Sequence, residues 1–235
     1  MRYLLLFMLL VGVFVVGKRS CHIDGFGIKG SGPIKTESRA VNGFHAVSLD
    51  IAATVELRVG DYNVEVQAQE NLLPILKTEL QDGALRIYFE DDVSHSEGIK
   101  VVVTAPSFDA ISLGGSGEIR ASGPLQADKM DLSIGGSGNI VIPQSSFNTL
   151  NCAIGGSGAI ELGGKANTMQ VDLGGSGQVE AKDMEVNELN AQISGSGSVT
   201  AHVLQVLKAD ISGSGEINYS GDPKVESNIS GSGSV

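Results

Sequence analysis

Apolar and polar positions alternate along the second half of the chain, and the alternation restarts in the same phase every 18 to 21 residues. Each restart is marked by Gly-Ser-Gly, with its serine at Ser116, Ser137, Ser157, Ser176, Ser196, Ser214 and Ser232. The position five before the serine is Ile111, Leu132, Cys152, Val171, Ala191, Ala209 and Ser227. The position three before it is Leu113, Ile134, Ile154, Leu173, Ile193, Ile211 and Ile229. Three past the serine stand Ile119, Ile140, Ile160, Val179, Val199, Ile217 and Val235. A side-chain period of two belongs to strands, and a fixed pattern recurring about every 20 residues belongs to a solenoid.

Each repeat is therefore expected to hold two short strands joined at a Gly-Ser-Gly corner. A third apolar segment closes most coils, as at Leu125–Ala127, Ala166–Met169 and Val203–Val206. Strands this short cannot bury an apolar face alone. Stacking the coils ~4.8 Å apart pairs each strand in parallel with its counterpart and fills one interior. The predicted fold is all-β, a right-handed parallel β-helix. Glycine suits the tight corner, and the small serine is expected to stack there, its hydroxyl bonding the next coil or the turn backbone.

The earlier half lacks the marker but still alternates. Val47–Ile51, Thr54–Val59, Asn63–Gln67, Ala84–Phe89 and Ile99–Thr104 read as strands. Asn71–Leu80 reads as a single helical turn interrupted by Pro74. Residues 37–107 are expected to form the first coils or a cap, and 108–235 the regular repeats. Residues 21–36, rich in glycine, read as a flexible linker.

The N-terminus carries Arg2 and an apolar run, Tyr3–Val16, that is short for a bilayer span. Residues 1–20 read as a signal peptide of lipoprotein type, with Cys21 as the lipidated new N-terminus. Lys18 and Arg19 depart from the usual small or apolar residues before such a cysteine, so a secreted soluble form and an uncleaved anchor stay open. No heptad stalk and no barrel segment is read after the solenoid.

The chain has 235 residues, 32 glycines and no tryptophan, which suits stacked small side chains better than a layered α/β enzyme. Its net charge is −11. Without residues 1–20, which hold three basic residues and no acid, 13 basic residues face 27 acidic ones. An acidic surface argues against nucleic acid and against adsorption to anionic lipid, so membrane contact is expected through the lipid anchor only. Cys152 falls on an inward column and reads as a small buried hydrophobe.

Gly-Gly-Ser-Gly does not read as a nucleophile elbow, which occurs once, between strand and helix, with a partnered histidine. Nor is it a phosphate cradle, since no Lys-Ser/Thr follows. The outward polar columns hold the candidate ligand residues. Asp131, Asn151, Gln170 and Asn190 lie six before the serine; Asp172, Gln192 and Asp210 lie four before it. Such rows can hydrogen-bond sugar hydroxyls, and they also simply solvate a sheet. Asp172 and Asp210 share a column two coils apart, roughly 9–10 Å by coil spacing, an inverting-hydrolase separation without a distinctive general acid. Glu90, Asp91, Asp92 and Glu97 form an acidic run that reads as a solvated loop rather than a calcium site. No catalytic residue, metal or cofactor is assigned.

An ordered set of segments carries a family resemblance. It runs from Ile28-Lys-Gly-Ser-Gly-Pro-Ile-Lys-Thr-Glu through Phe44-His-Ala-Val-Ser-Leu and Val64-Glu-Val-Gln-Ala-Gln-Glu-Asn-Leu-Leu-Pro. It continues with Leu80-Gln-Asp-Gly-Ala-Leu-Arg-Ile, Val101-Val-Val-Thr-Ala-Pro and Ile111-Ser-Leu-Gly-Gly-Ser-Gly-Glu-Ile, and Ser214-Gly-Glu-Ile-Asn lies close to the motif behind the family name. The chain resembles the bacterial family described as "putative auto-transporter adhesin, head GIN domain". The resemblance implies a β-helical cell-envelope protein of Gram-negative bacteria, often an outer-membrane lipoprotein on the periplasmic or outer face. It supplies no catalytic residues. The expected function is a non-enzymatic envelope binding or adhesion module whose partner is a glycan or an extracellular or envelope protein. A structural lipoprotein without a ligand and a polysaccharide-processing enzyme are the alternatives, and self-association is a further option.

Overall fold

The computed structural model describes residues 27–235. The signal peptide, Cys21 and the first part of the expected linker lie outside the described residues. The N-terminal half holds β1 (Ile28–Lys29), β2 (Ile34–Arg39), β3 (Ala46–Leu49), β4 (Thr54–Val59), β5 (Asn63–Gln69), β6 (Leu76–Gln81), β7 (Ala84–Phe89), β8 (Val93–His95) and β9 (Lys100–Ala105). The repeats supply β10 (Ala110–Leu113), β11 (Glu118–Ala121), β12 (Leu125–Ile134), β13 (Asn139–Ile142), β14 (Ser145–Ile154), β15 (Ala159–Leu173), β16 (Gln178–Ile193), β17 (Ser198–Gly213), β18 (Glu216–Ser220) and β19 (Lys224–Gly231).

The repeats stack as a parallel β-solenoid of about six turns. One sheet runs β7, β3, β10, then the C-terminal parts of β12, β14, β15, β16 and β17, and ends at β19. A second runs β9, β4, β11, β13, the N-terminal parts of β15, β16 and β17, then β18. Register follows the serine alignment: Leu132 pairs with Cys152, Cys152 with Val171, Val171 with Ala191 and Ala191 with Ala209. The inward columns are buried along the repeats, so each coil covers the apolar floor of the next.

The corners explain the glycines. Backbone ladders continue through them: the amides of Ser157, Ser176, Ser196, Ser214 and Ser232 donate to the carbonyls of Gly136, Gly156, Gly175, Gly195 and Gly213. Coils approach so closely here that a Cβ on Gly156 would lie 2.0 Å from the Gly136 carbonyl oxygen. The corner serines do not act as expected. All seven are exposed, and among the described residues none of their hydroxyls makes a hydrogen bond. The backbone satisfies the corner, which leaves the hydroxyl facing solvent.

The N-terminal half departs from simple stacking. The coil of β3 and β4 lies between the coil of β7 and β9 and the coil of β10 and β11. The chain thus builds an inner coil, passes outward through β5 and β6, lays down the outermost coil, and returns to the inner side. Residues 37–107 provide both coils and cap: β5 pairs antiparallel with β9, β2 with β5 and β6 with β7. The helical turn expected over Asn71–Leu80 is reduced to two bonds to the Leu72 carbonyl, from the Ile75 amide at 3.1 Å and the Leu76 amide at 2.9 Å. From Leu76 onward the segment is β6, because its backbone pairs with β7.

The linker expectation for 21–36 fails over its described part. β1 pairs with β8, and β2 pairs with β5 from Ile34 onward. Asn71 ties the segment down: its Oδ1 accepts from the Ser31 amide at 2.7 Å and its Nδ2 donates to the Lys29 carbonyl at 2.8 Å. Gly27, Gly32 and Gly98 take positive φ here, so these glycines serve ordered turns rather than a tether.

Two neighbouring glycines test the corner. Gly156→Ala should cost about 1–3 kcal/mol through overpacking against the preceding carbonyl. Gly155→Ala, whose Cβ would meet nothing within 4 Å, should stay within about 0.5 kcal/mol of wild type. Urea unfolding midpoints of the two variants check this, and equal midpoints would contradict it.

Candidate functional site

The candidate residues share one sheet, and the solenoid register sets their order. In one column Asp131, Asn151, Gln170, Asn190, Lys208 and Glu226 stand in consecutive coils. In the other, Asp172, Gln192, Asp210 and Asn228 do the same. Parallel in-register pairing spaces such residues ~4.8 Å apart along the axis. The alternating inward residues anchor them, since each polar side chain is flanked by buried neighbours such as Met169 and Val171.

The columns divide into a closed part and an open part. At one end Asn151 Nδ2 donates to Asp131 Oδ1 at 2.7 Å, and Lys129 Nζ donates to Asp131 Oδ2 at 2.8 Å. Burial pulls the Asp131 carboxyl upward, but these two donors outweigh it and hold it below its ordinary value. Asn151 Oδ1 is buried without a hydrogen-bond partner among the described residues. At the far end Asn228 Nδ2 donates to Asp210 Oδ1 at 3.3 Å, and Lys224 pairs with Glu226 at 2.6 Å. Between them, the side chains of Gln170, Asp172, Asn190 and Gln192 make no hydrogen bond among the described residues.

Those four, with Lys208 and Asp210, line a shallow depression of about 450 Å³ whose floor is Val171 and Ala191. It offers amide donors, amide acceptors, carboxylates and one ammonium on an open sheet. The structure brings Gln170, Asp172, Asn190, Gln192 and Asp210 together around one depression, and it leaves Asp131 and Asn151 outside it, hydrogen-bonded to each other.

Other expectations are resolved by position. Cys152 is buried, and desolvation pushes its thiol far above the ordinary range, so it is an inert core residue. Among the acidic run, Glu90 pairs with Lys77 at 2.8 Å and Glu97 with His95 at 3.3 Å. Among the described residues no three His, Cys, Asp or Glu side chains gather to hold a metal.

Two features escape a reading based on the serine columns. On the third side of the coil Asn187 Nδ2 donates to Asn167 Oδ1 at 3.0 Å. The register places Asn148 next in that row, a pattern visible only after the third segments are aligned. On the second sheet Glu56 gathers four donors from three segments. Ser122 Oγ donates at 2.6 Å, Arg58 Nη2 and Nε at 2.7 and 2.9 Å, and Lys100 Nζ at 2.9 Å. Ser122, then Lys100 and Arg58, hold the Glu56 carboxyl down at about 2. The residues are 66, 2 and 44 positions away in sequence, so no local pattern reveals the cluster.

The fold defines a class, the parallel β-solenoids, and the comparisons supply the family. The sequence matches the family "Putative auto-transporter adhesin, head GIN domain" over residues 43–223, and the chain belongs to it. No curated protein matches the chain. A solved adhesin-like protein of Bacteroides fragilis, described as a "putative adhesin", superposes with TM-score 0.81 at 22% identity, covering 88% of this chain and 98% of that one. A "putative adhesin" of Parabacteroides merdae gives TM-score 0.70 at 26% identity, covering 89% and 99%. A "Putative lipid binding protein" of Parabacteroides distasonis gives 0.73 at 25% identity, covering 88% and 99%.

The Glu56 cluster sets an acid limit. Its folded carboxyl lies below the unfolded value, so its contribution is complete above about pH 4.5 and is lost as pH falls toward 2. Thermal melts should show wild type losing stability through that window more steeply than Glu56→Gln, which lacks the titrating group. Parallel acid profiles would contradict the assignment.

Proposed function

We propose that the protein is a non-enzymatic envelope module of adhesin type. It is exported, tethered through Cys21, and holds a hydroxyl-rich ligand on the open part of its polar columns. The observation that carries this reading is the row of exposed Gln170, Asp172 and Gln192 with half-buried Asn190, whose side chains make no hydrogen bond among the described residues. Amides and carboxylates at a regular spacing match the alternating donors and acceptors of a glycan. The excess of acids favours a neutral or basic glycan over an acidic polymer. Family membership and the adhesin-like neighbours support the same reading.

The alternatives fit the geometry less well. Asp172 and Asp210 are exposed on an open sheet with Gln192 between them, which gives a hydrolase no enclosed general acid. A lipid would need an apolar cavity, and the interior columns are filled by the chain's own side chains.

A glycan microarray probed with wild type and with Gln170→Ala/Asn190→Ala tests the proposal. Specific retention should appear, and the double variant should weaken it by about 2–10-fold for each hydrogen bond lost. Retention of no glycan, or equal binding by both proteins, would overturn it.

A further inference from the structure

The second sheet carries a depression of its own, of about 560 Å³, on its outward face. The register explains why it forms there. Arg120, Val141, Glu161 and Glu180 fill one outward column in four consecutive coils. Arg120 makes one wall and Glu180 the other, and the small residues Val141, Ala159 and Gly163 between them keep the floor low. Val141 is buried although its column points outward, and it lies outside the continuous core. Gly163 has no room to grow, since a Cβ on it would lie 2.3 Å from the Pro143 carbonyl oxygen. A bulge completes the second wall. Glu161 pairs with Glu180 but Gly163 pairs with Asp183, so β16 fits in one extra residue, and both Lys182 and Asp183 line the depression.

The charges on these walls are not neutralised by their neighbours. Glu161 and Glu180 are directly opposed on adjacent strands, an arrangement that costs stability when the charges are alike. Among the described residues neither meets a cation, and Glu180 accepts only from the Gln178 amide. Lys182 stands two residues from Glu180, the spacing at which Arg58 holds Glu56 and Arg120 holds Glu118. It nevertheless closes no ion pair among the described residues. Arg120 gives its Nε to Glu118 at 3.1 Å, and its two terminal nitrogens make no hydrogen bond among the described residues.

We propose that this depression binds a short peptide with both ends free, its amine between Glu161 and Glu180 and its carboxylate on Arg120. Two coil steps, roughly 10 Å, separate the backbones of Arg120 and Glu161. An extended tripeptide spans about 10 Å, so it reaches from one wall to the other. The apolar floor of Val141, Pro143 and Leu162 takes small side chains between the two ends. An ammonium relieves the opposed carboxylates, and the paired terminal nitrogens of a guanidinium match a carboxylate. An anionic polymer would meet the carboxylates of Glu161, Glu180 and Asp183, and a neutral sugar would leave the opposed pair uncompensated. The inference rests on the second sheet alone and is independent of the glycan reading.

Calorimetric titration of the full chain with trialanine tests it. Wild type should bind saturably. N-acetyl-trialanine and trialanine amide should each bind about 10-fold or more weakly, since each loses one charge-assisted contact. These capped peptides probe the wild-type chain, so the outcome does not depend on a variant folding. Arg120→Gln should bind trialanine and its amide equally, and Glu161→Gln/Glu180→Gln should bind trialanine and its acetylated form equally. Gln170→Ala/Asn190→Ala should bind as wild type does. No saturable binding of trialanine to wild type, or no loss on capping either end, would overturn the proposal. So would loss on acetylation alone, which would assign the carboxylates to the amino end of a longer chain. Calcium bound in place of the peptide would assign them to a metal and overturn it as well.

Discussion

Close backbone contact between successive coils at the Gly-Ser-Gly corners governs this molecule. From Ser157 onward the amide of each corner serine reaches a glycine carbonyl of the coil before it, and the glycines on either side of the serine leave no room for a side chain. That spacing fixes the register of both flanking sheets, because a strand cannot slip while its corner is locked. Register in turn decides which residues meet. Apolar columns close into a continuous interior, and polar columns are delivered to the surface at constant intervals. Long-range parallel pairing of this kind needs a starting edge.

The N-terminal half supplies that edge by an indirect route. It sandwiches its first coil between the outermost coil and the first regular repeat, then folds antiparallel strands over the outside. Glu56 binds this region together from the second sheet, drawing on β4, β9 and the turn after β11. Asn71 performs a similar service for the first strands by bonding two backbone groups at once. The result is a solenoid whose first end is extended by antiparallel strands while the repeats stack in parallel. The asymmetry gives the solenoid a direction, with the polar sheet running between the two ends.

The polar sheet shows how a repetitive scaffold makes a local site. Every coil offers the same two outward positions, yet their chemistry varies. Asn151 donates to Asp131, whereas the side chains of Gln170, Asp172, Asn190 and Gln192 make no hydrogen bond among the described residues. The distinction arises from pairing between neighbouring coils, and it confines the candidate surface to a few consecutive turns. Members of the same family share the solenoid at roughly a quarter sequence identity, so inward columns and corners can persist while outward positions are free to change.

The alternation and the serine period determined the parallel solenoid, its inward columns and the positions of the outward ones. These follow from side-chain period and local corner chemistry, which are properties of short stretches of chain. Strands such as Thr54–Val59 and Ala84–Phe89 were legible with their limits for the same reason. The tertiary structure decided everything that depends on which segments become neighbours. It placed the coil of β7 and β9 outside that of β3 and β4, although it comes later in the chain. It turned glycine-rich residues 28–36 into paired strands, since Asn71 and β5 satisfy their backbone. It left the corner serine hydroxyls without hydrogen bonds among the described residues, because backbone pairing between coils already satisfies the corner. It also separated free polar side chains from paired ones along a column whose composition looks uniform, because a hydrogen bond between coils depends on distance rather than on residue type.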